Sequence, residues 1–162
     1  MLLRLGLRAG EVAALSLDDI DWRAGEIEIH GKGRCQERLP LPADVGTALV
    51  DYLQRGRPAT LGRHVFCTVI APVRGLTREA VSDIVRRACV RTGILPCGAH
   101  RLRHTMACEM IRAQVRPAEI GQVLRHHSPA STAIYARVDR AALGVLARPW
   151  PVPVTEVREG RR

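Results

Sequence analysis

Two periodicities divide this chain into predicted elements. The stretch "GEIEIHGKGRCQERLPLP" alternates apolar and polar positions on both sides of a glycine-bracketed turn, which predicts a β-hairpin with Lys32 near its tip. Before it, "GLRAGEVAALSL" places Leu7, Val12 and Leu15 at helical spacing, so a helix opens the chain. After it, Pro42 begins a helix in "PADVGTALVDYLQRG", and "HVFCTV" predicts a third short strand. "LTREAVSDIVRRACVRTG" predicts an amphipathic helix with Thr77 as its N-cap and Gly93 as its stop. "HRLRHTMACEMIRAQ" and "RPAEIGQVLRH" predict two more, and "SPASTAIYARVD" a further one with Ser128 and Pro129 at the N-cap and first helical position. There is no internal repeat. The expected fold class is α+β, mainly α-helical with a small three-stranded antiparallel sheet.

Length bounds the domain count. At 162 residues the chain is long enough for one real core and too short for two comfortable ones. No apolar run reaches the length a bilayer requires, and "MLLRLGLRAGEV" is too short and too quickly charged for a signal peptide. The ending "ARPWPVPVTEVREGRR" is proline-rich and then charged, which predicts an extended tail.

Charge points to a partner. A net charge of +9 makes a polyanion the expected partner, with nucleic acid ahead of membrane. The arginines are grouped: between Asp51 and Glu79 there is no acid, but Arg55, Arg57, Arg63, Arg74 and Arg78 are present. The same holds between Asp83 and Glu109, which enclose Arg86, Arg87, Arg91, Arg101 and Arg103. Two Trp, two Tyr and one Phe are too few rings for a stacking-based single-strand binder, which favours duplex DNA held by its phosphates. Five scattered cysteines without a C-x-x-C pair suggest reduced thiols, most of them serving as small hydrophobes.

One residue stands apart. Lys32 is the only lysine among the 25 basic Lys and Arg residues. Arginine stays protonated at any useful pH, whereas lysine can be tuned to release a proton, so a lone lysine hints at proton transfer. Taken singly, the other candidates have ordinary alternatives. Arg8 and Glu11, three apart on the first helix, could be a surface ion pair. His100 and His104 have zinc-ligand spacing, but the H-E-x-x-H glutamate is replaced by Arg101 and no cysteine pair stands near. Tyr135 could cap an apolar helix face, and His126 and His127 could be a solvated loop pair.

Taken together, "LGLRAGEVAALSLDDIDW", "GKGRCQERLPLP", "HRLRHTMA" and "LRHHSPASTAIYARV" resemble the successive signature boxes of the tyrosine recombinases (phage integrase family), in order and at the family's intervals. The resemblance runs from Leu3 to Val138. It implies that Arg8 and Arg103 are the two active-site arginines, with Glu11 the acid supporting the first. It further implies that Lys32 is the hairpin lysine, His100 the histidine of the H-x-x-R box, His126 the next histidine, and Tyr135 the nucleophile. Attack of a phenol on phosphorus builds negative charge that permanently charged forks can hold. A phenol of pKa ~10 needs a base, for which His100 is the candidate. Departure of a deoxyribose oxygen needs a proton, which Lys32 can give and arginine cannot. No metal or cofactor is required on this reading. Arg34, Arg74, Arg78 and Arg101 are the arginines expected to meet DNA. Two positions depart from the family's pattern: His127 stands where a small polar residue is usual, and Arg125 replaces a usual glycine.

The resemblance implies a catalytic domain over residues 1–147, lacking the family's upstream helix and core-binding domain, and then the tail over 148–162. It implies site-specific DNA recombination through a covalent 3′-phosphotyrosine intermediate, in a bacterial cytoplasm and on the nucleoid. The alternative is a non-catalytic DNA-binding remnant or truncated integrase that occupies DNA. The implied partner is double-stranded DNA, bound by a homo-tetramer or by a hetero-assembly with a full-length recombinase.

Overall fold

In a computed structural model that describes residues 1–31 and 36–125, the alternating segment becomes the hairpin of strands β2 (Glu26–His30) and β3 (Gln36–Pro40). Side chains on a strand point to opposite faces in turn. Ile27 and Ile29 accordingly lie buried, while Glu28 and His30 turn outward. Ile27 stands opposite Leu39 and Ile29 opposite Glu37. The third strand is β1 (Ile20–Asp21), which pairs antiparallel with β2 through Ile20 and Ile27 and completes a sheet of order β1-β2-β3.

The expectation that "HVFCTV" supplies that strand is corrected. Its segment makes only single bridges, Ser16 with His64 and Cys67 with Gly75. Its hydrogen-bonding groups are taken elsewhere: the Val65 amide donates to the Leu15 carbonyl, and the Thr68 amide to the carbonyl of Arg74 across its own loop. A segment folded back on itself has no free edge to offer the hairpin.

Helix α1 (Ala9–Ala14) leads through a 3-10 turn (Leu17–Asp19) into β1. Helix α2 (Ala43–Asp51) follows the hairpin directly after Pro42 and runs on as a π turn, Tyr52–Gly56. Helix α3 (Arg78–Arg91) begins where the Thr77 side chain accepts the Ala80 amide, and Gly93 follows its end with φ +70°. Helix α4 (Ala99–Arg112) and helix α5 (Pro117–Val123) complete the described elements. The helix expected over "SPASTAIYARVD" and the tail at 148–162 lie outside the described residues. None of the described helices is long and apolar enough to cross a membrane.

The described residues form two apolar clusters. The larger joins the sheet, α1, α2 and α3 through Leu7, Leu15, Ile27, Ile29, Leu49 and Val81. Tyr52 packs on its margin, its ring 5.3 Å from that of Phe66 and its hydroxyl accepting the Cys67 amide at 3.3 Å. The smaller consists of Ala107, Ile120 and Leu124, flanked by Met106 and Met110. Helix α4 spans both, with Ala99 in the first and Ala107 in the second. Gly6 joins them from the other side. Its φ is +58°, and a Cβ there would come within 2.8 Å of Leu124 and 2.9 Å of Met106. Only glycine takes that backbone without strain and lets the chain pass so close.

Candidate active site

The site lies along the seam between the two clusters. Arg8 is the extended residue that caps α1 (φ −76°, ψ 152°), and Glu11 occupies the third helical position. The carboxylate of Glu11 accepts the Arg8 backbone amide at 2.7 Å and the Arg8 Nη1 at 2.6 Å. The same three-residue spacing that starts the helix therefore also fixes the guanidinium. Glu11 is 8% exposed, so this is no surface pair. Burial pushes its carboxyl up, but the hydrogen bonds from the Arg8 amide and side chain and the charges of Arg125 and Arg8 outweigh that and hold it below the usual carboxylate range.

Arg103, 3% exposed, projects from the second turn of α4. Its Nη1 donates to the Gly6 carbonyl and its Nη2 to the Leu124 carbonyl, so one side chain ties the segment before α1 to the end of α5. Guanidinium carries five donors, and two are used in these bonds. Arg8 adds a third tie, its Nη2 donating to the Arg125 carbonyl at 2.8 Å.

Arg8, Glu11, His100 and Arg103 all line one cleft of about 550 Å³. His100 sits in the first turn of α4, beside the buried Ala99 that anchors the helix to the larger core. His30 and Gly31, the last described residues before Lys32, line the same cleft, as does Arg78 at the start of α3. The structure thus brings together four of the sequence-predicted site residues from distant parts of the chain. Lys32, Arg34, His126 and Tyr135 lie outside the described residues. Of the expected DNA-contacting arginines, Arg78 reaches the cleft, ion-paired with Glu79, while Arg74 and Arg101 are exposed without lining it.

Three side chains at this site escaped the reading of the sequence as functional groups. His30 lines the cleft with its Nε2 2.8 Å from Asp19 Oδ1, and Asp19 Oδ2 in turn accepts the Ser16 amide. Arg125 has a positive φ of 51°, and its side chain, 10% exposed, donates from Nη2 to Glu11 at 2.9 Å. Glu37 lies 3.7 Å from Arg125 Nε. The available signal for Arg125 was its place at a usual glycine. For His30 it was adjacency to the hairpin turn. His104, by contrast, meets Cys108 Sγ at 3.6 Å along its own helix, and among the described residues no three His, Cys, Asp or Glu side chains gather as metal ligands.

Comparison with known proteins places this geometry. The family model described as "Phage integrase family" matches residues 1–142. The putative integrase/recombinase y4rA of Sinorhizobium fredii is 52% identical over 153 residues, which are 93% of this chain and 37% of that one. A second protein of that organism, the putative integrase/recombinase y4gC, is 39% identical over 161 residues, covering 97% of this chain and 82% of the relative. Among solved structures, the crystal structure of XerA recombinase matches with a TM-score of 0.73 and 28% identity over 93% of this chain and 56% of that one. The chain spans just over a third of y4rA and about half of XerA recombinase.

Proposed function

Because the chain belongs to the phage integrase family, we propose that it is the catalytic part of a tyrosine recombinase, which breaks and rejoins DNA strands through Tyr135. The observation that carries this reading is the single cleft lined by Arg8, Glu11, His100 and Arg103, onto which β2 delivers the chain one residue short of Lys32.

On this reading the Tyr135 phenol oxygen attacks phosphorus while His100 takes its proton. Arg8 and Arg103 hold the two oxygens on which charge accumulates, and His126 adds a hydrogen bond. The bond to the 5′-oxygen breaks, and Lys32 protonates the departing oxygen. The 3′-phosphotyrosine retains the energy of the broken ester, so a 5′-hydroxyl from a second end can reverse the step without a nucleotide cofactor. Glu11 acts through Arg8, whose guanidinium it fixes from two sides. Residues 1–147 form the catalytic domain and 148–162 a tail. Double-stranded DNA is the partner, met through phosphates by Arg34, Arg74, Arg78 and Arg101, and the net charge of +9 supports a polyanion. The assembly is a tetramer on DNA or a hetero-assembly with a full-length recombinase, in the cytoplasm and on the nucleoid.

The test is a pool of nicked duplexes of randomised sequence, incubated with the protein and resolved under denaturing conditions. A covalent protein–DNA adduct formed by the parent and absent with Tyr135→Phe is the expected result. Salt-sensitive binding with no adduct would replace this reading with that of a DNA-occupying remnant.

A further inference from the structure

Arg125 occupies a position where its residue type is costly on two counts. Its φ of +51° lies in the left-handed region, which glycine enters freely and a side chain with a Cβ does not. Its guanidinium is buried at 10% exposure, and Nε and Nη1 find no hydrogen-bond partner among the described residues. Buried donors left in this way weigh against the fold. Glycine would remove both costs, so something about the side chain offsets them.

What it touches identifies the offset. Nη2 of Arg125 donates to Glu11 Oε2, the oxygen that also accepts the Arg8 amide, while the Arg125 carbonyl accepts Arg8 Nη2. Arg8, Glu11 and Arg125 therefore close a ring of three interactions, with Arg8 Nη1 on Glu11 Oε1 as the third. On its other side Arg125 Nε lies 3.7 Å from Glu37 Oε2, an ion pair too long for a hydrogen bond. Glu37 is on β3, the strand that follows Lys32 in the chain. The groups facing the Glu11 carboxylate are thus Arg8 at the start of its own helix and Arg125 from the end of α5, and Arg125 also faces the hairpin.

We propose that Arg125 is a positioning residue that locks the Arg8–Glu11 unit in place and couples it to the hairpin through Glu37. This rests on the strand-transfer reading, since the group being positioned is the guanidinium that would hold the phosphate. The left-handed backbone is what aims the side chain back at α1, and the carbonyl of the same residue braces Arg8 directly. A planar fork suits this task better than a lysine, which can face one oxygen but not span two carboxylates.

The decisive variant is Arg125→Gly, which fits the backbone without strain and removes two unpartnered buried donors, so that relief counters the lost tie to Glu11 and the variant folds. Three measurements are made on the full chain: the thermal midpoint, the Glu11 carboxyl titration by NMR, and the single-turnover rate of adduct formation on the randomised nicked-duplex pool at saturating protein. The expected result is a thermal midpoint close to the parent's, a Glu11 midpoint moved to higher pH, and a rate lowered roughly 10- to 100-fold with little change in half-saturating protein concentration. Arg125→Lys should recover part of the rate. Glu37→Gln should slow the parent a few-fold and have no further effect in the Arg125→Gly background. An unchanged rate, or an unchanged Glu11 titration, overturns the proposal. Should the parent itself form no adduct, the strand-transfer reading fails, and the Glu11 titration still decides whether Arg125 holds the Arg8–Glu11 unit.

Discussion

The two apolar clusters among the described residues are held by different means. The larger has a sheet, three helices and fully buried Leu7, Leu15, Ile27 and Ile29, and it closes by hydrophobic burial. The smaller buries only Ala107, Ile120 and Leu124 among the described residues, beneath a seven-residue helix. So small an apolar area gives little on its own, and polar ties do the remaining work. Arg103 joins Gly6 to Leu124, Arg8 joins α1 to Arg125, and Arg125 joins the end of α5 to Glu11. The difference teaches that the site's arginines are also the joint that fixes the weaker cluster to the stronger one.

The largest expected effect follows from cutting that joint. Arg103→Ala leaves two buried carbonyls without their donor, costing about 2–5 kcal/mol. Hydrogen exchange should show the amides of α5 losing protection before those of β2, and equal loss in both would mean that the clusters are one cooperative unit.

A smaller effect sharpens the role of the seam. Glu11→Gln keeps the shape but gives up a charge held by Arg8 and Arg125, with a cost of about 1–3 kcal/mol at neutral pH. The folded-state pKa of Glu11 is depressed, so its contribution is complete above the unfolded carboxyl value of about 4.3 and is lost as pH falls through the lower folded value. Urea titrations across this acid range should therefore converge for parent and variant at low pH. A constant gap would assign the loss to shape and not to charge.

The smallest effect lies on the surface of the larger cluster. The exposed carboxyl of Asp18 is held below its usual range, chiefly by its hydrogen bond from Arg63. Water screens such a pair, and Asp18→Asn should leave the thermal midpoint unchanged within error. A clear loss would mean that the 3-10 turn, not the apolar cluster, limits stability in this region.

Much of this was legible beforehand because its signals are local. Alternation gave the hairpin, Thr77 and Gly93 marked the ends of α3, and two short motifs named Arg8, Glu11, His100 and Arg103 before any geometry brought them to one cleft. What stayed hidden depends on distant partners. The two residues of β1 carry no period of their own, and "HVFCTV" has a strand's composition but spends its hydrogen bonds on Leu15 and its own loop. Taken singly, Arg8 and Glu11 could equally have been a surface pair, because nothing in a three-residue spacing reports that the end of α5, more than a hundred positions later, would cover them. Arg125 was visible only as a departure from glycine, and its purpose appears when Glu11 and Glu37 are seen on either side of it.

Gly6 sets a rule for how this protein can decay. Its carbonyl holds one guanidinium and its missing side chain admits Leu124, so any replacement disturbs binding group and framework together. The same double duty falls on Arg8 and Arg103. Random loss at these positions loosens the smaller cluster as well as the cleft, so a chain that keeps its fold keeps these arginines.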